Sequence, residues 1–332
     1  MAILTTNTGV SVGNKPSVLD LVKLQGAWDT PLFSSFKSGK AGQINHSWIT
    51  DTLRPYGTNA QLEVSDTDDY SAGSKVLHTN TMQIFTTDVK VSMSQQATAT
   101  YGAKSLQHEL MKGAKEHAMD IEYSLLGLQN QTEADVTDAA ANLGLFGNYT
   151  SRVANTTAGK MAGIFSFIPR ANRVGTTDGA SADLDYVVGT SSVTLTYDLF
   201  QSILEPIWAA GGEANTVYVG SSLKKKVNSF DSGNTQVSRV INDSNNYDPR
   251  VTKISTDFGI VDVRLSRFFK AGSGLERTIL AGDFSTCTVR NLISTKLEPV
   301  SSSDTATVKR YYTECTLEVL NPDLIACGMN FV

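Results

Sequence analysis

Two stretches near the start of the chain alternate apolar and polar residues with the period of a β-strand, from Ile44 to Leu53 and from Val76 to Ser92. A polar, acidic segment, residues 55–75, separates them. The pattern predicts a long β-hairpin. Because a lone two-stranded ribbon is only marginally stable in water, its apolar side chains need cover, which a neighbouring copy of the chain could supply. The side chains concerned are Trp48, Ile84 and Phe85.

The period changes to three and four residues between Tyr101 and Leu128, which predicts a long amphipathic helix. Gly127 ends the pattern, and most charged residues, Glu122 among them, fall off the apolar stripe. If the stripe is buried, we expect the substitution Leu110→Ala to cost about 2–5 kcal/mol of stability. The stripe consists of Ala103, Leu106, Leu110, Ala114, Ala118, Ile121, Leu125 and Leu128.

An α/β unit is predicted after the loop-rich middle of the chain. A helix from Tyr197 to Ala210 ends at Gly211-Gly212, and a strand follows over Thr216–Val219. A second helix then starts with Ser221 or Ser222 as its N-cap, since a serine hydroxyl accepts a hydrogen bond from the first free N–H groups of a helix. Several more strands are expected between residues 258 and 320.

The last of these strands has the clearest alternation in the chain. Apolar residues occupy odd positions and mostly polar residues the even ones, so we expect one face of the strand to be buried and the other to lie in water. The first set is Tyr311, Cys315, Leu317 and Val319, and the second is Tyr312, Glu314, Thr316 and Glu318.

The length of 332 residues suits two lobes that share chain segments. The first 36 residues carry scattered apolar side chains, too few to close a core, and are predicted to form an arm laid over something else. The N-terminus has no basic region followed by an apolar run, and no window approaches 18 consecutive apolar residues. Neither secretion nor membrane spanning is therefore expected.

The composition gives little support to an enzyme or to a protein that coats nucleic acid. A net charge of −5 and a pI near 5.4 disfavour a broad basic face. The motifs GxxxxGK(S/T), GxGxxG, GxSxG and HExxH are absent from the sequence, so neither a catalytic site nor a cofactor is predicted. His108 and His117 would lie half a turn apart around the helix and cannot share a metal ion. Without CxxC spacing, the cysteines indicate neither a disulfide framework nor zinc, and Cys315 is expected to be buried.

Several short pieces of sequence, in their order along the chain, carry a resemblance to a known family. They are Trp48–Leu53, Asn80–Ile84 leading to Val91-Ser92, Gly163-Ile164, the helix between Thr194 and Gly212, Gly282–Phe284, and Cys315–Pro322. These pieces span residues 44–328. They resemble the SU-ten-like major head proteins of tailed bacteriophages, which have the Hong Kong 97-type capsid fold.

The resemblance implies an α+β capsid subunit made of successive regions. These are an N-terminal arm (1–36), an extended hairpin loop (37–98), a spine helix with the peripheral domain (99–150), an axial domain (151–255) and closing strands of both domains (256–332). We also expect the mature protein to keep its N-terminus, because residues 1–36 lack the long charged helix of a fused scaffold.

The function implied is that of a major capsid protein, which self-assembles into pentamers and hexamers and builds an icosahedral head around packaged double-stranded DNA. Its place is the virion, after assembly in the bacterial cytoplasm. The implied partners are other copies of the chain, with scaffolding, portal and decoration proteins in addition. DNA would be enclosed without sequence-specific binding, and no membrane is involved.

Eight residues are expected at contacts between subunits. Four of them are carboxylates close together in the acidic segment at the tip of the predicted hairpin. They repel one another, which favours contact with a basic surface on a neighbouring subunit. The alternative is that the tip only makes the protein soluble. Three lysines that open a helix are more often a solvated face than a contact. The eight residues are Trp48, Glu63, Asp66, Asp68, Asp69, Lys224, Lys225 and Lys226.

Two other functions stay open on the sequence alone. A tail-tube or decoration protein would also lack catalytic motifs, but the long helix disfavours it. An enzyme with a site built from loops is the second alternative, because a fold does not dictate a function. A pocket with strongly perturbed titratable groups would indicate such an enzyme.

Overall fold

The computed structural model describes residues 29–54, 56–58, 60, 63, 75–98, 105–130, 146–153, 156–174, 193–230, 252–270, 275–301 and 304–331. The helices in chain order are α1 (Pro31–Ser35), α2 (Met93–Ala97), α3 (Ser105–Leu125), α4 (Ile164–Phe167), α5 (Tyr197–Ala209) and α6 (Ser221–Asn228). The strands are β1 (Lys37–Lys40), β2 (Asn45–Asp51), β3 (Lys75–Thr81), β4 (Gln83–Ser92), β5 (Arg173–Val174), β6 (Thr216–Val219), β7 (Lys253–Thr256), β8 (Gly259–Leu265), β9 (Ile279–Gly282), β10 (Cys287–Val300), β11 (Ala306–Val319) and β12 (Ile325–Gly328).

Within the described residues, the strands form a four-stranded sheet, a six-stranded sheet and a two-stranded hairpin. The four-stranded sheet has the order β1-β10-β11-β4 and is built on the long antiparallel pair β10 and β11. The six-stranded sheet has the order β5-β12-β9-β6-β8-β7, and β6 pairs in parallel with β8. The hairpin consists of β2 and β3. The predicted boundary between residues 255 and 256 falls inside β7.

Two clusters of buried apolar side chains share the six-stranded sheet. One contains α4 and the end of α3, with Leu280 of β9 and Cys327 of β12. The other lies under α5 and α6 and contains Ala281 of β9 and Ala326 of β12. Because successive side chains of a strand point to opposite faces, β9 and β12 contribute to both cores. The sheet therefore joins the helical layer of α5 and α6 to the layer of α3.

The long helix α3 is confirmed, but the predicted stripe is wrong in its first half. Ala114 is exposed and Leu110 is only half-buried, whereas Gly113 and His117 are buried. A Cβ atom on Gly113 would lie 2.8 Å from Cγ2 of Val89, so the helix approaches β4 closely at this glycine. The apolar pattern missed this face because a glycine and a histidine, not leucines, line it.

The predicted hairpin is shorter than expected. β3 pairs with β2 from Asn45↔Thr81 to Asp51↔Lys75, and the buried Met82 then ends the ribbon. β4 leaves it and pairs with β11 instead. The assignment of residues 83–92 to the hairpin is therefore wrong, since the alternating side chains of β4 bury Val89 and Val91.

The expectation of one wet face on the last long strand is also wrong for the second half of that strand. Residues 313–319 of β11 are all buried, the glutamates at 314 and 318 included. β11 is an interior strand between β10 and β4, and the β2-β3 hairpin contacts it in addition. Alternation alone does not distinguish a face covered by water from a face covered by another polar layer of protein.

The predicted α/β unit is confirmed as α5, β6 and α6. Thr196 caps α5, and Gly211 follows the helix with a φ of 85°, a conformation that favours glycine. The predicted serine N-cap of α6 is wrong, because Gly220 occupies the cap position. A Cβ atom there would lie 2.2 Å from the Phe269 carbonyl oxygen, so no side chain fits. No helix in the described ranges is long and apolar enough to span a membrane.

Candidate assembly surfaces

Buried side chains fix the base of the β2-β3 hairpin to the four-stranded sheet. The Trp48 indole N–H donates a hydrogen bond to the Val319 carbonyl oxygen at 2.8 Å. The buried Asn80 side-chain amide donates to the carbonyl oxygens of Leu317 at 2.9 Å and Ala162 at 3.2 Å, and its Oδ1 accepts from the Ala162 N–H at 2.9 Å. The hairpin therefore leaves the body of the subunit at a defined position.

The cover that the sequence led us to expect from a neighbouring copy comes, for Trp48 and Phe85, from the chain itself. Trp48 is only 8% exposed and packs beside Phe167, while Phe85 is buried next to the ring of His117. These two residues therefore need no neighbour for cover, and a place for Trp48 at a contact between subunits stays a prediction. Ile84, on the opposite face of β4, is exposed.

A buried carboxylate strengthens the same junction. The Glu318 side chain is 2% exposed and accepts two hydrogen bonds from the Arg290 guanidinium, at 3.0 and 2.8 Å. His46, at the base of the hairpin, contacts Oε2 of this carboxylate, the oxygen that also accepts from Nε of Arg290. Burial alone would raise the pKa of Glu318, but the hydrogen bonds and charges of Arg290 and His46 outweigh it and lower that pKa. Glu318 thus links the hairpin to β10 as an ionised group.

The distal part of the hairpin carries an apolar pair without cover within the described residues. Ile49 and Leu77 lie directly opposite each other on β2 and β3 and are 64% and 65% exposed. They lie on the face opposite Trp48, since neighbouring residues of a strand point to opposite sides. Beyond them, Leu53 and Tyr56 are fully exposed. A cross-strand apolar pair of this kind is a candidate contact surface.

A second junction joins the N-terminal side of the chain to the long helix. The fully buried Glu122 of α3 accepts hydrogen bonds from the backbone N–H groups of Leu32 at 3.0 Å and Phe33 at 2.7 Å. These two groups belong to the first turn of α1, whose own N-cap, Thr30, makes no side-chain hydrogen bond. Burial raises the pKa of Glu122 to about 7, although the two backbone hydrogen bonds act in the opposite direction.

A groove with several cationic side chains lies beside α1. One part, of about 630 Å³, is lined by Arg264, Arg267 and Lys270, and Asp29 is its acidic member. An adjoining part, of about 510 Å³, shares Asp29 and Arg264 and adds Lys115 of α3. The groove therefore combines four cations with one carboxylate, in a chain whose net charge is negative. It suits an acidic ligand.

Of the remaining residues predicted at contacts, the structure describes Glu63 and the three lysines of α6. Glu63 is exposed, and Asp66, Asp68 and Asp69 lie outside the described residues. Lys225 and Lys226 are exposed on α6, whose buried side is formed by Leu223 and Val227. Lys224 is partly buried, and burial lowers its pKa to about 8.

Other groups with chemical potential lie in structural positions. The expectation for Cys315 is confirmed, since the thiols at 287, 315 and 327 are all buried, and burial raises the pKa of each to about 12. A thiol that stays protonated is a poor nucleophile. The described part of the chain holds no group of three or more potential metal ligands.

Sequence reasoning did not find Glu122, Asn80 or the Arg290–Glu318 pair. Glu122 directly follows the buried Ile121 and lies one helical turn before the buried Leu125. This position among apolar residues could have indicated a buried carboxylate. Asn80 lies among threonines in a strand-like stretch, and nothing local distinguishes it. The partners of Arg290 and Glu318 follow only from strand pairing.

Solved structures show which fold this chain has. A chain from Gordonia phage Cozz matches with a TM-score of 0.61 at 11% identity, over 99% of this chain and 98% of that one. The capsid of Cyanophage P-SCSP1u matches with a TM-score of 0.57 at 12% identity, over 98% and 96%. The capsid of an empty GTA particle matches with a TM-score of 0.58 at 12% identity, over 99% and 98%. The predicted Hong Kong 97-type capsid fold is confirmed.

The family follows from the sequence. The chain matches the SU10 major capsid protein family over residues 4–331 and belongs to it. The major capsid protein of Escherichia phage Phieco32 is 32% identical over 162 residues, which cover 47% of this chain and 45% of that relative. That match thus spans slightly less than half of the curated relative. The predicted family is confirmed.

Proposed function

We propose that this chain is the shell subunit of a phage head, which self-assembles into pentamers and hexamers and encloses double-stranded DNA in an icosahedral capsid. The match to a major capsid protein family over residues 4–331 carries this proposal. The uncovered Ile49–Leu77 pair on an anchored hairpin supports it, because an exposed apolar ribbon is suited to packing against another copy.

In the proposed shell, the hairpin of one subunit packs its distal face on a neighbouring copy. The anchors Trp48 and Asn80 fix where the hairpin leaves the body, so Ile49 and Leu77 reach the neighbour in one orientation. A rigid base reduces the conformational entropy lost on contact. In this role, Trp48 contacts its own subunit and orients the hairpin residues that contact the neighbour.

The acidic segment between β2 and β3 is proposed to meet a basic surface on the neighbour. The sequence from Glu63 to Asp69 holds four carboxylates and no lysine or arginine. The groove beside α1, with Lys115, Arg264, Arg267 and Lys270, is a described surface with complementary charge and is the contact proposed for the acidic segment. A second, separate proposal is that Lys224, Lys225 and Lys226 contact a neighbouring subunit. Lys225 and Lys226 are exposed, and Lys224 is partly buried.

The role is structural, without catalysis or a cofactor, and the DNA is held by enclosure. The net charge of −5 supports this, because sequence-independent DNA binding depends on a broad cationic face. Scaffolding, portal and decoration proteins are the further proposed partners. Assembly is proposed to occur in the cytoplasm of the host, and the shell becomes part of the virion.

Electron microscopy of the purified full-length chain tests the proposal. We expect closed shells or capsomers, whereas tubes would indicate a tail-tube protein, and dispersed monomers under all assembly conditions would contradict a shell subunit. The variant Ile49→Asp should lose shell formation. Ile260→Asp is the matched control, because Ile260 lies on β8 and is 65% exposed, close to the 64% of Ile49. Normal shells from Ile49→Asp would contradict the proposed hairpin contact.

A further inference from the structure

The point at which the N-terminal part of the chain joins the long helix depends on one side chain. α1 has five residues, and its N-cap position supplies no side-chain hydrogen bond. An isolated helix of this length is not stable, and the N–H groups of its first turn have no partners within the helix. In this protein, Glu122 accepts from two of these groups across about 90 residues of sequence.

We propose that Glu122 is a positioning residue that holds α1 on α3, and thereby fixes the position of residues 31–35 on the subunit, in a manner that depends on its ionisation. Only an effect of this anchor on assembly rests on the proposed function, and the anchor itself does not. The carboxylate fills the place of a missing N-cap. The side chain of Leu32 packs into the main core next to it, so the hydrogen bonds and the apolar contact act at the same turn.

The surroundings of Glu122 make its charge costly. The side chain is fully buried, and the described residues offer it no ion pair. α1 has no titratable side chain. None of the titratable or charged groups on the surrounding elements forms a hydrogen bond with this carboxylate; they are Asp29 before α1, Lys115, Asp120 and Tyr123 on α3, Tyr218 on β6 and Arg264 on β8.

The sign of the pH dependence follows from linkage. With α1 docked, the pKa of Glu122 is about 7, well above its ordinary value of 4.5, because of burial. If undocking exposes the group to water, the docked form binds the proton more tightly. Docking is then strongest below the ordinary value and weakens as the pH rises through about 7. The equilibrium constant for undocking should increase by at most about tenfold per pH unit in this interval.

Amide hydrogen exchange of the full-length dissociated subunit tests the anchor at pH 5.5, 6.5 and 7.5, after correction for intrinsic exchange rates. We expect the N–H groups of Leu32 and Phe33 to lose protection as the pH rises. Glu122→Gln preserves the shape of the side chain and should abolish this pH dependence, and Glu122→Ala should remove the protection itself. The control is Glu116→Gln, which changes an exposed carboxylate of the same helix and should behave like the original protein.

Two outcomes would overturn the inference. Unchanged protection of Leu32 and Phe33 in Glu122→Ala would show that the carboxylate does not hold α1. An unchanged pH profile in Glu122→Gln would show that its ionisation is irrelevant, even if that variant folds and forms particles. Particle formation by the original protein is scored separately by electron microscopy. Absence of shells there would count against the proposed function, while the exchange data would still decide the anchor.

Discussion

The ion pair between the buried Glu318 and the partly exposed Arg290 illustrates how single residues determine the position of the hairpin. The Glu318 carboxylate is 2% exposed, and it depends on Arg290 and His46 for its hydrogen bonds. Removal of one partner from a buried ion pair leaves an uncompensated charge, which costs far more than the loss of a surface pair. The exposed pair Arg310–Asp88 in the same sheet offers a direct comparison.

We expect Arg290→Met to lower the free energy of unfolding of the subunit by about 3–5 kcal/mol. The control Arg310→Met should lower it far less, because this arginine and its carboxylate partner are both exposed to water. Denaturant unfolding at pH 7 measures both values. Equal losses in the two variants would mean that Glu318 is not held as a buried ion.

Acid should weaken this junction. The pKa of Glu318 is lowered from 4.5 in the folded subunit, so its stabilising contribution is present above that value and is lost as the pH falls through the lower, folded-state pKa. The variant Glu318→Gln should have lower stability at pH 7 and a smaller further loss between pH 5 and 3. Denaturant midpoints across this range check the prediction, and a parallel pH profile for both proteins would contradict it.

At the scale of elements, the pattern of the sequence predicted α3, α5, β6 and α6 close to their observed positions. Each is either amphipathic or ended by glycine, so the local signal and the tertiary packing agree. The hairpin and β11 were predicted with errors because their burial is decided by long-range pairing. β4 pairs with β11 over 200 residues away, and the hairpin covers the face of β11 that alternation assigned to water.

The corrected face of α3 changes the expected cost of its substitutions. Ile121 is buried in the main core, so Ile121→Ala should lower the free energy of unfolding by about 2–5 kcal/mol. Leu110 is half-buried, so Leu110→Ala should cost less than Ile121→Ala, against the expectation from the stripe. The exposed Met111 is the control, and Met111→Ala should change the value by at most about 0.5 kcal/mol. A larger loss for Leu110→Ala than for Ile121→Ala would restore the original stripe.

Hydrogen exchange should resolve the hairpin into two parts in a dissociated subunit. The sequence predicted one long hairpin over residues 44–53 and 76–92, only marginally stable without cover, which implies fast exchange throughout in a dissociated subunit. Because β4 lies in the four-stranded sheet and Asn80 is anchored, we now expect protection in β4 and at the base of the β2-β3 ribbon. The distal end near Asp51 and Lys75 should exchange fast. Strong protection throughout the ribbon would show that the subunit alone stabilises it.

At the scale of the whole molecule, a shell repeats every contact in all its subunits, so weak interactions acquire large effects. An exposed ion pair contributes only about 0.2–1 kcal/mol, too little to detect in one contact. Such contacts are also screened by salt, because the Debye length is about 8 Å at physiological ionic strength. A charge contact between the acidic segment and the groove beside α1 should therefore appear as a salt-dependent shift of assembly, even where the isolated subunit is unchanged.

Assembly should require the negative charge of the acidic segment, and not only its polar character. The triple variant Asp66→Lys, Asp68→Lys, Asp69→Lys places cations opposite the four cations of the groove, so we expect a lower assembly yield that added salt partly restores, because salt screens the new repulsion. The triple variant Arg264→Glu, Arg267→Glu, Lys270→Glu should have the same defect alone, and the two sets combined should restore assembly. Reversal of Lys40, Lys160 and Lys296, which are exposed and line neither part of the groove, controls for net charge. Light scattering across salt concentrations measures the assembly yield. An unchanged yield with unchanged salt dependence in the first variant would contradict the proposed contact between the acidic segment and the groove.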